Sequence, residues 1–324
     1  MKTDNLKILV IRFSAIGDIV LTLPILSAVR KKFPTAEIHF LTKKIFHGLL
    51  EENPEIDKII YLDRNFSEIK NTLLLEGYRY IIDLHNNFRT LILRWYFIGR
   101  KNNPTFLTYH KYWLKRWLLI HLKIDLKIPH IVDRYFGAVA SLGIINDASP
   151  KKMSLPKNYT LPDGLSLPFV VLVMGTNHYT KTIPPNKLKE IVESIDEKIV
   201  LIGGSDEVQK GEILAKSYPE KVISLCGKTS LMESACIINE AIFVVTPDTG
   251  MMHIAASLAK KIYLVWGNTT PSLGFTPYVT SAASKVSFLE NTNLPCRPCH
   301  KHGQDYCPKG HFACMQDIKI NFED

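Results

Sequence analysis

The sequence predicts two Rossmann-like, doubly wound α/β domains, and three observations carry that expectation. The chain has 324 residues, long for one domain and comfortable for two. Short apolar runs alternate with segments of helical period in two separate series, the pattern of parallel sheets flanked by helices. Between the two series the periodicity fades over 145–168, where Pro150, Pro156, Pro162 and Pro168 arrive at close intervals. Hydrophobic residues make up 46% of the chain and charged residues 22%, enough apolar mass for two cores.

The first series opens with a strand over 6–11, a nearly continuous apolar run of the kind buried in a parallel sheet. One helix-period segment follows over 19–33, closed by Pro34, and further strands are expected over 37–41, 58–62 and 80–84. Beyond the linker, strands are expected over 169–174, 198–202, 242–246 and 261–265, with helices over 186–194, 207–217, 231–239 and 251–258. This places the domains at 1–150 and 165–290 and leaves 291–324 as a cysteine-bearing tail. Two such units in succession imply a cleft between them, with ligands at the carboxyl ends of the strands.

Composition narrows the setting. No apolar run approaches the length of a membrane span, and residues 1–5 carry no signal-peptide pattern, so a cytoplasmic protein is expected. The net charge of +9 calls for an anionic partner. Much of it gathers in Arg89, Arg94, Arg100, Lys101, Lys111, Lys115, Arg116, Lys123 and Lys127, with Asp125 the only acid in that stretch. Trp95, Tyr96, Phe97, Tyr109, Tyr112, Trp113 and Trp117 are interleaved with them. Each residue alone fits a solvated helix face, whereas the cluster fits a surface for a membrane or an anionic lipid.

Four motifs fall at strand ends. Arg12-Phe13-Ser14-Ala15-Ile16-Gly17-Asp18 follows the first strand, and Gly17 suits a sharp strand-to-helix turn. Asp18 is read either as an N-cap or as a carboxylate that accepts a proton from a bound hydroxyl; the two roles are compatible. The stretch from Thr246 to His253 again joins a strand to a helix, and Asp248, Thr249 and Gly250 put free N–H groups and the positive dipole end where a diphosphate can bind. A plain cap with a buried His253 is the alternative. Between Met174 and Pro184, Lys181 can hold a phosphate as a compact point charge. Gly203-Gly204 permits close approach of a nucleotide but lacks the third glycine of the dinucleotide fingerprint, which disfavours a redox enzyme.

Of the six cysteines, Cys226 and Cys236 sit in apolar stretches and read as buried small hydrophobes. Cys296, Cys299, Cys307 and Cys314 lie among His300, His302 and His311 in a short polar segment. They can close a tetrahedral structural zinc site, with disulfides as the alternative that a cytoplasmic chain disfavours. Four thiolates would leave no open position for catalysis.

Together these residues resemble glycosyltransferase family 9, the ADP-heptose:lipopolysaccharide heptosyltransferases. The run from Ile11 to Pro24 is similar to the family's N-terminal signature, and the run from Asp248 to Ala256 to its donor-site signature. The resemblance implies a GT-B fold, in which 1–150 binds the acceptor and 165–290 the nucleotide sugar across a central cleft. It implies an inverting transfer that requires no cofactor, with Asp18 as general base and Asp248, Thr249, Gly250 and His253 in the donor signature. Lys181 corresponds to a phosphate-binding lysine followed after two residues by proline, here Pro184, although Ile183 stands where the family has tryptophan. The donor implied is a nucleotide diphosphate sugar, ADP-heptose, and the acceptor a lipopolysaccharide core or related lipid-linked glycan. Arg89, Lys111, Lys115 and Arg116 would face that phosphorylated acceptor at the inner face of the inner membrane. The cysteine-bearing end resembles one that some members have and others lack.

Two rivals remain. A nucleotide-sugar 2-epimerase on the same scaffold would leave the basic stretch without a purpose. A non-enzymatic nucleic-acid binder would leave the motifs at Asp18 and Asp248 unexplained, and no nucleic-acid module is present, so no nucleic-acid partner is expected.

Overall fold

The structure, a computed structural model, describes residues 6–62, 66–100, 103–148, 151–279 and 285–322. Residues 1–5, Lys101 and Pro150 lie outside that set. The chain divides into two compact units, each an α/β body.

In the first unit, strands β1 (Lys7–Ile11), β2 (Glu37–Thr42), β3 (Lys58–Tyr61), β4 (Tyr80–Asp83) and β5 (Thr105–Thr108) make a parallel sheet of order β3-β2-β1-β4-β5. β1 is apolar throughout its buried length, as a central strand covered on both faces must be. The expected helix over 19–33 is two: α1 (Ile16–Val20) and α2 (Leu23–Lys32). The break falls where the Thr22 hydroxyl turns back to donate to the Ile19 carbonyl, 2.7 Å away, while Pro24 suits the first turn of α2. The remaining helices are α3 (Phe66–Leu75), α4 (Phe88–Phe97) and α6 (Ile131–Val139). Leu9, Ile11, Phe13, Ile81 and Leu93 form the core on one face of this sheet.

In the second unit, β6 (Phe169–Val173), β7 (Lys198–Ile202), β8 (Val222–Ser224), β9 (Phe243–Pro247), β10 (Lys261–Trp266) and β11 (Val286–Glu290) form a parallel sheet of order β11-β10-β9-β6-β7-β8. α7 (Pro185–Glu193), α8 (Val208–Ser217), α9 (Leu231–Glu240) and α10 (Gly250–Ser257) lie between the strands in sequence. The expected elements are all present here. Sequence periodicity missed β5, β8 and β11, which are short or only partly buried and so lack a long apolar run.

Two assignments change. Residues 112–128, expected in the first domain, pack with the second unit: the first comprises 1–111 and 129–154, the second 112–128 and 155–324. The segment forms α5 (Trp113–Trp117) and a π-helical turn over Leu118–Leu122. Leu119 and Ile128 bury themselves against Leu273, just beyond β10, a contact worth roughly 1.5–3 kcal/mol per side chain. The cysteine-bearing end is likewise no appendage. Phe312, Cys314 and Met315, the last two in α11 (Ala313–Gln316), join the core of the second unit together with Ile318. Cys226 and Cys236 are buried there as expected.

Both sheets reverse direction of growth at one place, between β1 and β4 in the first and between β6 and β9 in the second. Helices diverge to opposite faces at such a switch point, which leaves a crevice beyond the strand ends.

Candidate active site

At the switch point of the first unit, β1 delivers Arg12 and the following turn delivers Asp18. Arg12 is only 7% exposed. Its Nε donates to the Ser14 carbonyl at 2.7 Å, its Nη1 to the Leu84 carbonyl beyond β4, and its Nη2 pairs with Asp18 Oδ2. Burial by itself would depress the guanidinium, but the charge of Asp18 and the nearby Tyr135 and Tyr109 raise it above its ordinary value. The cation is therefore permanent and rigidly held. Asp18 is not the N-cap expected of it. Ala15 holds that position, and Asp18 is the third helical residue, whose Oδ2 accepts the Ala15 N–H at 3.3 Å. The carboxylate thus serves the helix start and the arginine with one oxygen.

The loop after β4 completes this half. Buried Asp83 accepts the N–H groups of His85 and Asn86 at 3.0 and 2.7 Å, and Asn86 Nδ2 donates to the Tyr109 carbonyl at 2.9 Å. The His85 ring stands edge-on to Phe13, with centroids 4.7 Å apart. Burial first, then the charge of Arg12, hold its pKa down at about 3 against the opposing pull of Asp18; Lys111 and Arg89 depress it further. His85 is a neutral ring in a cationic setting. Arg12, His85 and Tyr135 received no role from the sequence alone, and Tyr109, expected in the basic aromatic surface, is instead buried beside Arg12 and Tyr135. Arg12 gave a signal nonetheless, as the one charge at the end of an apolar strand.

At the switch point of the second unit, the turn Tyr179–Lys181 follows β6 and Asp248 follows β9. Lys181 Nζ and Asp248 Oδ2 are 2.7 Å apart, with side chains 14% and 12% exposed. Thr249 is the N-cap of α10 and Gly250 begins it, so the N–H groups of its first turn open beside Asp248. His253 is buried in the same helix. Thr269 Oγ1 donates to Asp248 Oδ2 at 2.7 Å and accepts from Trp266 Nε1 at 2.7 Å. These two residues, on and after β10, lay outside every motif read from the sequence.

The cysteine-bearing end braces this half. Arg297 Nη2 donates to the carbonyls of Trp266 and Thr269 and pairs with Glu290. Thr180 and Gln304 exchange backbone and hydroxyl bonds of 2.8–3.1 Å, and the Cys299 N–H donates to the Asn268 carbonyl at 3.0 Å. The four cysteines are free thiols. Cys296 Sγ lies 3.9 Å from His311 Nε2, and Cys299 Sγ turns to the Cys296 carbonyl. Burial pushes the Cys299 thiol up to about 11 and that of Cys314 to about 12. Among the described residues, three ligand atoms come within 4.8 Å of one another at Glu37, His39 and Glu76, and not at the cysteines. The thiols as arranged do not form a coordination shell. Glu37 and Glu76 are in turn occupied by Lys7 and Lys58.

The basic stretch is divided between the two units. Arg89, on α4, and Lys111 belong to the first unit, whereas Lys115 and Arg116, on α5, belong to the second. Lys123 is spent on the Cys296 and Pro298 carbonyls, and Lys115 on the Leu126 carbonyl. Arg89, Arg94, Arg100 and Lys127 stay exposed, and so do many large apolar side chains. Trp95 on α4 is 66% exposed and Trp113 on α5 69%, beside Phe88, Leu91 and Ile98 in the first unit and Leu114, Trp117 and Leu122 in the second. Among the described residues no helix is long and apolar enough to cross a membrane.

The family model of glycosyltransferase family 9 (heptosyltransferase) matches residues 67–307. The lipooligosaccharide heptosyltransferase 2 of Haemophilus influenzae is 23% identical over 92% of this chain and 93% of its own. A glycosyl transferase family 9 structure from Veillonella parvula matches with a TM-score of 0.71 at 20% identity, over 91% of this chain and 90% of that one. An Escherichia coli heptosyltransferase, solved with ADP and again with ADP-2-deoxy-2-fluoro heptose, matches with TM-scores of 0.64 and 0.63 at 20% identity, over 87% of this chain and 93% of that one. The likeness in fold spans both units, and the architecture is GT-B.

Proposed function

Because the chain belongs to glycosyltransferase family 9, we propose that it moves a heptose from ADP-heptose to a lipopolysaccharide core or a related phosphorylated glycolipid, with inversion and without a metal ion. The chain is a glycosyltransferase, and the observation that carries the finer reading is that each switch point holds one carboxylate paired with one cation, the carboxylates being residues of the two signatures. The donor follows from relatives that are heptosyltransferases along nearly their whole length and from a neighbour solved with ADP and an ADP-heptose analogue.

The chemistry divides between the units. In an inverting displacement the acceptor oxygen bonds to the anomeric carbon as the bond to the diphosphate breaks and ADP departs with the electron pair. Asp18 takes the acceptor hydroxyl's proton, and Arg12 keeps that carboxylate ionised and aimed. Lys181 and the N–H groups at the start of α10 meet the charge growing on the diphosphate, the service a divalent cation gives in other transferases. Lys181 is then shared between Asp248 and the leaving group. Arg89, Lys111, Lys115 and Arg116 attract the phosphorylated acceptor. The exposed tryptophans and aliphatic side chains of α4 and α5 rest in the headgroup layer of an anionic membrane at the cytoplasmic face.

One assay tests this reading: ADP-heptose, EDTA, and heptose-deficient lipopolysaccharide core in anionic vesicles. Heptose should appear on the acceptor with equimolar ADP, and the protein should sediment with the vesicles less as salt rises. Transfer that appears only after magnesium is restored would refute the assignment of the leaving group to Lys181. Sedimentation indifferent to lipid charge would remove the membrane from the proposal.

A further inference from the structure

The loop leaving β10 holds an anomaly beside the Lys181–Asp248 pair. Asn268 is 1% exposed, yet among the described residues neither its Oδ1 nor its Nδ2 has a hydrogen-bond partner. An amide carries two donors and an acceptor with two lone pairs, and burying them unpaired costs about 1–3 kcal/mol per group, so native chains rarely do it without a reason. Two neighbours share the condition. Thr270 Oγ1 and Gln304 Oε1 are also buried and unpaired.

These atoms belong to the donor half by connectivity. Thr269, next to Asn268, bonds Asp248. Gly267, on its other side, lies so close to the Tyr179–Lys181 turn that an added Cβ would stand 2.8 Å from the Thr180 carbonyl and 2.7 Å from Met315 Sδ. Gln304 is tied to Thr180 through both its N–H and its carbonyl. The loop and the Cys299 to Cys314 segment are thereby held in place without the side-chain amides, which internal structure leaves unused. The same loop commits every other strong group, since Trp266 Nε1 and Thr269 Oγ1 both have partners.

We propose that Asn268, with Thr270 and Gln304, forms a subsite for the hydroxyl groups of the transferred sugar. A pair of neighbouring hydroxyls offers alternating donors and acceptors that match a buried amide, whereas a phosphate offers acceptors alone and would leave Oδ1 unpaired. The subsite rests on the reading that the second unit binds a nucleotide sugar, and it adds recognition of the sugar to recognition of the diphosphate. A site built to bond hydroxyls rejects ligands that lack them, because its own buried groups are then left unpaired.

Asn268→Leu, which keeps the branched shape of the side chain without its polar atoms, separates this role from a structural one. Calorimetric titration with ADP and with ADP-heptose gives a Kd ratio for each protein. The variant should bind ADP as the wild type does and lose roughly tenfold for ADP-heptose, collapsing the ratio. Its unliganded Tm should rise, since it no longer buries unpaired polar atoms. A ratio unchanged from wild type overturns the subsite, and a lowered Tm with that unchanged ratio would make Asn268 a structural amide. If Asn268→Leu does not fold, Asn268→Ser supplies the same ratio. Wild-type protein that binds neither ADP nor ADP-heptose would instead sink the donor reading itself.

Discussion

The two units present the same device at the same topological point and build it in opposite ways. In each, a carboxylate follows a central strand, stands at or beside the first turn of a helix, and pairs with a cation. In the first unit the cation is a buried guanidinium fixed by two carbonyls from different loops, so the carboxylate sits in an immobile frame. In the second it is a single ammonium on a flexible stem, rising from a short turn, while the carboxylate is fixed by Thr269, itself held by Trp266. A fork that is already full cannot leave its partner, whereas a point charge can share itself with an arriving anion. The difference teaches that rigidity is placed where a base must be aimed and mobility where a leaving group must be met.

The comparison breaks first at Asp18. Asp18→Asn keeps a side-chain acceptor for the helix start but cannot take a proton, and turnover should fall on the order of a hundredfold or more. The substitution also strips a buried arginine of its counter-charge, so rates are to be compared per folded molecule below the variant's transition. Near-normal turnover would reduce Asp18 to a helix and arginine partner. The exchange of cations should give the next largest effect. Arg12→Lys loses the fork to Ser14 and Leu84 and should cost about tenfold or more in kcat together with several degrees of Tm, while Lys181→Arg should stay within roughly threefold in kcat/KM. Equal losses at both positions would erase the distinction between a fixed and a shared cation.

The smallest effect concerns stability alone. His85 titrates near 3 in the folded chain, well below its ordinary value of 6.5. The unfolded chain therefore binds the extra proton first as pH falls, and stability should drain away between about pH 6.5 and 3 while staying flat above. His85→Gln should flatten that acid limb in urea titrations without adding or removing an ionisation in the pH–rate profile near neutrality. A shifted rate profile would promote His85 from a neutral wall of the site to a participant in proton transfer.

Much of this was legible before any coordinates. Strands β1, β2, β6, β7, β9 and β10 announce themselves because both faces of a central parallel strand are apolar, and the turns after β1 and β9 announce the sites. Edge strands β5, β8 and β11 do not, being short or half-covered. Asp18, Lys181 and Asp248 stand in local motifs and could be named. Thr269, Arg297 and His85 act through contacts with residues distant in the chain, which local patterns do not report. The basic stretch carried its composition openly but not the partners of its side chains. Its charge is real, but Lys115 and Lys123 turn to carbonyls and the tryptophans turn outward.

The path of the chain has a consequence for how the protein comes into being. It leaves the first unit at Lys111, lends 112–128 to the second, and returns with α6 before departing at Ser154. Neither unit is one uninterrupted stretch, so a gene cut at residue 155 would yield a second unit without Leu119 and Ile128 over Leu273. On the ribosome the order matters as much. The first unit cannot close until 129–154 has emerged, and by then 112–128 is already out, with two tryptophans and nothing made yet to receive Leu119 and Ile128. It must wait until synthesis has passed Leu273, a delay on the order of ten seconds at usual rates. Throughout that interval the nascent chain carries an apolar flag, and a chaperone or a nearby bilayer has its longest opportunity to bind there.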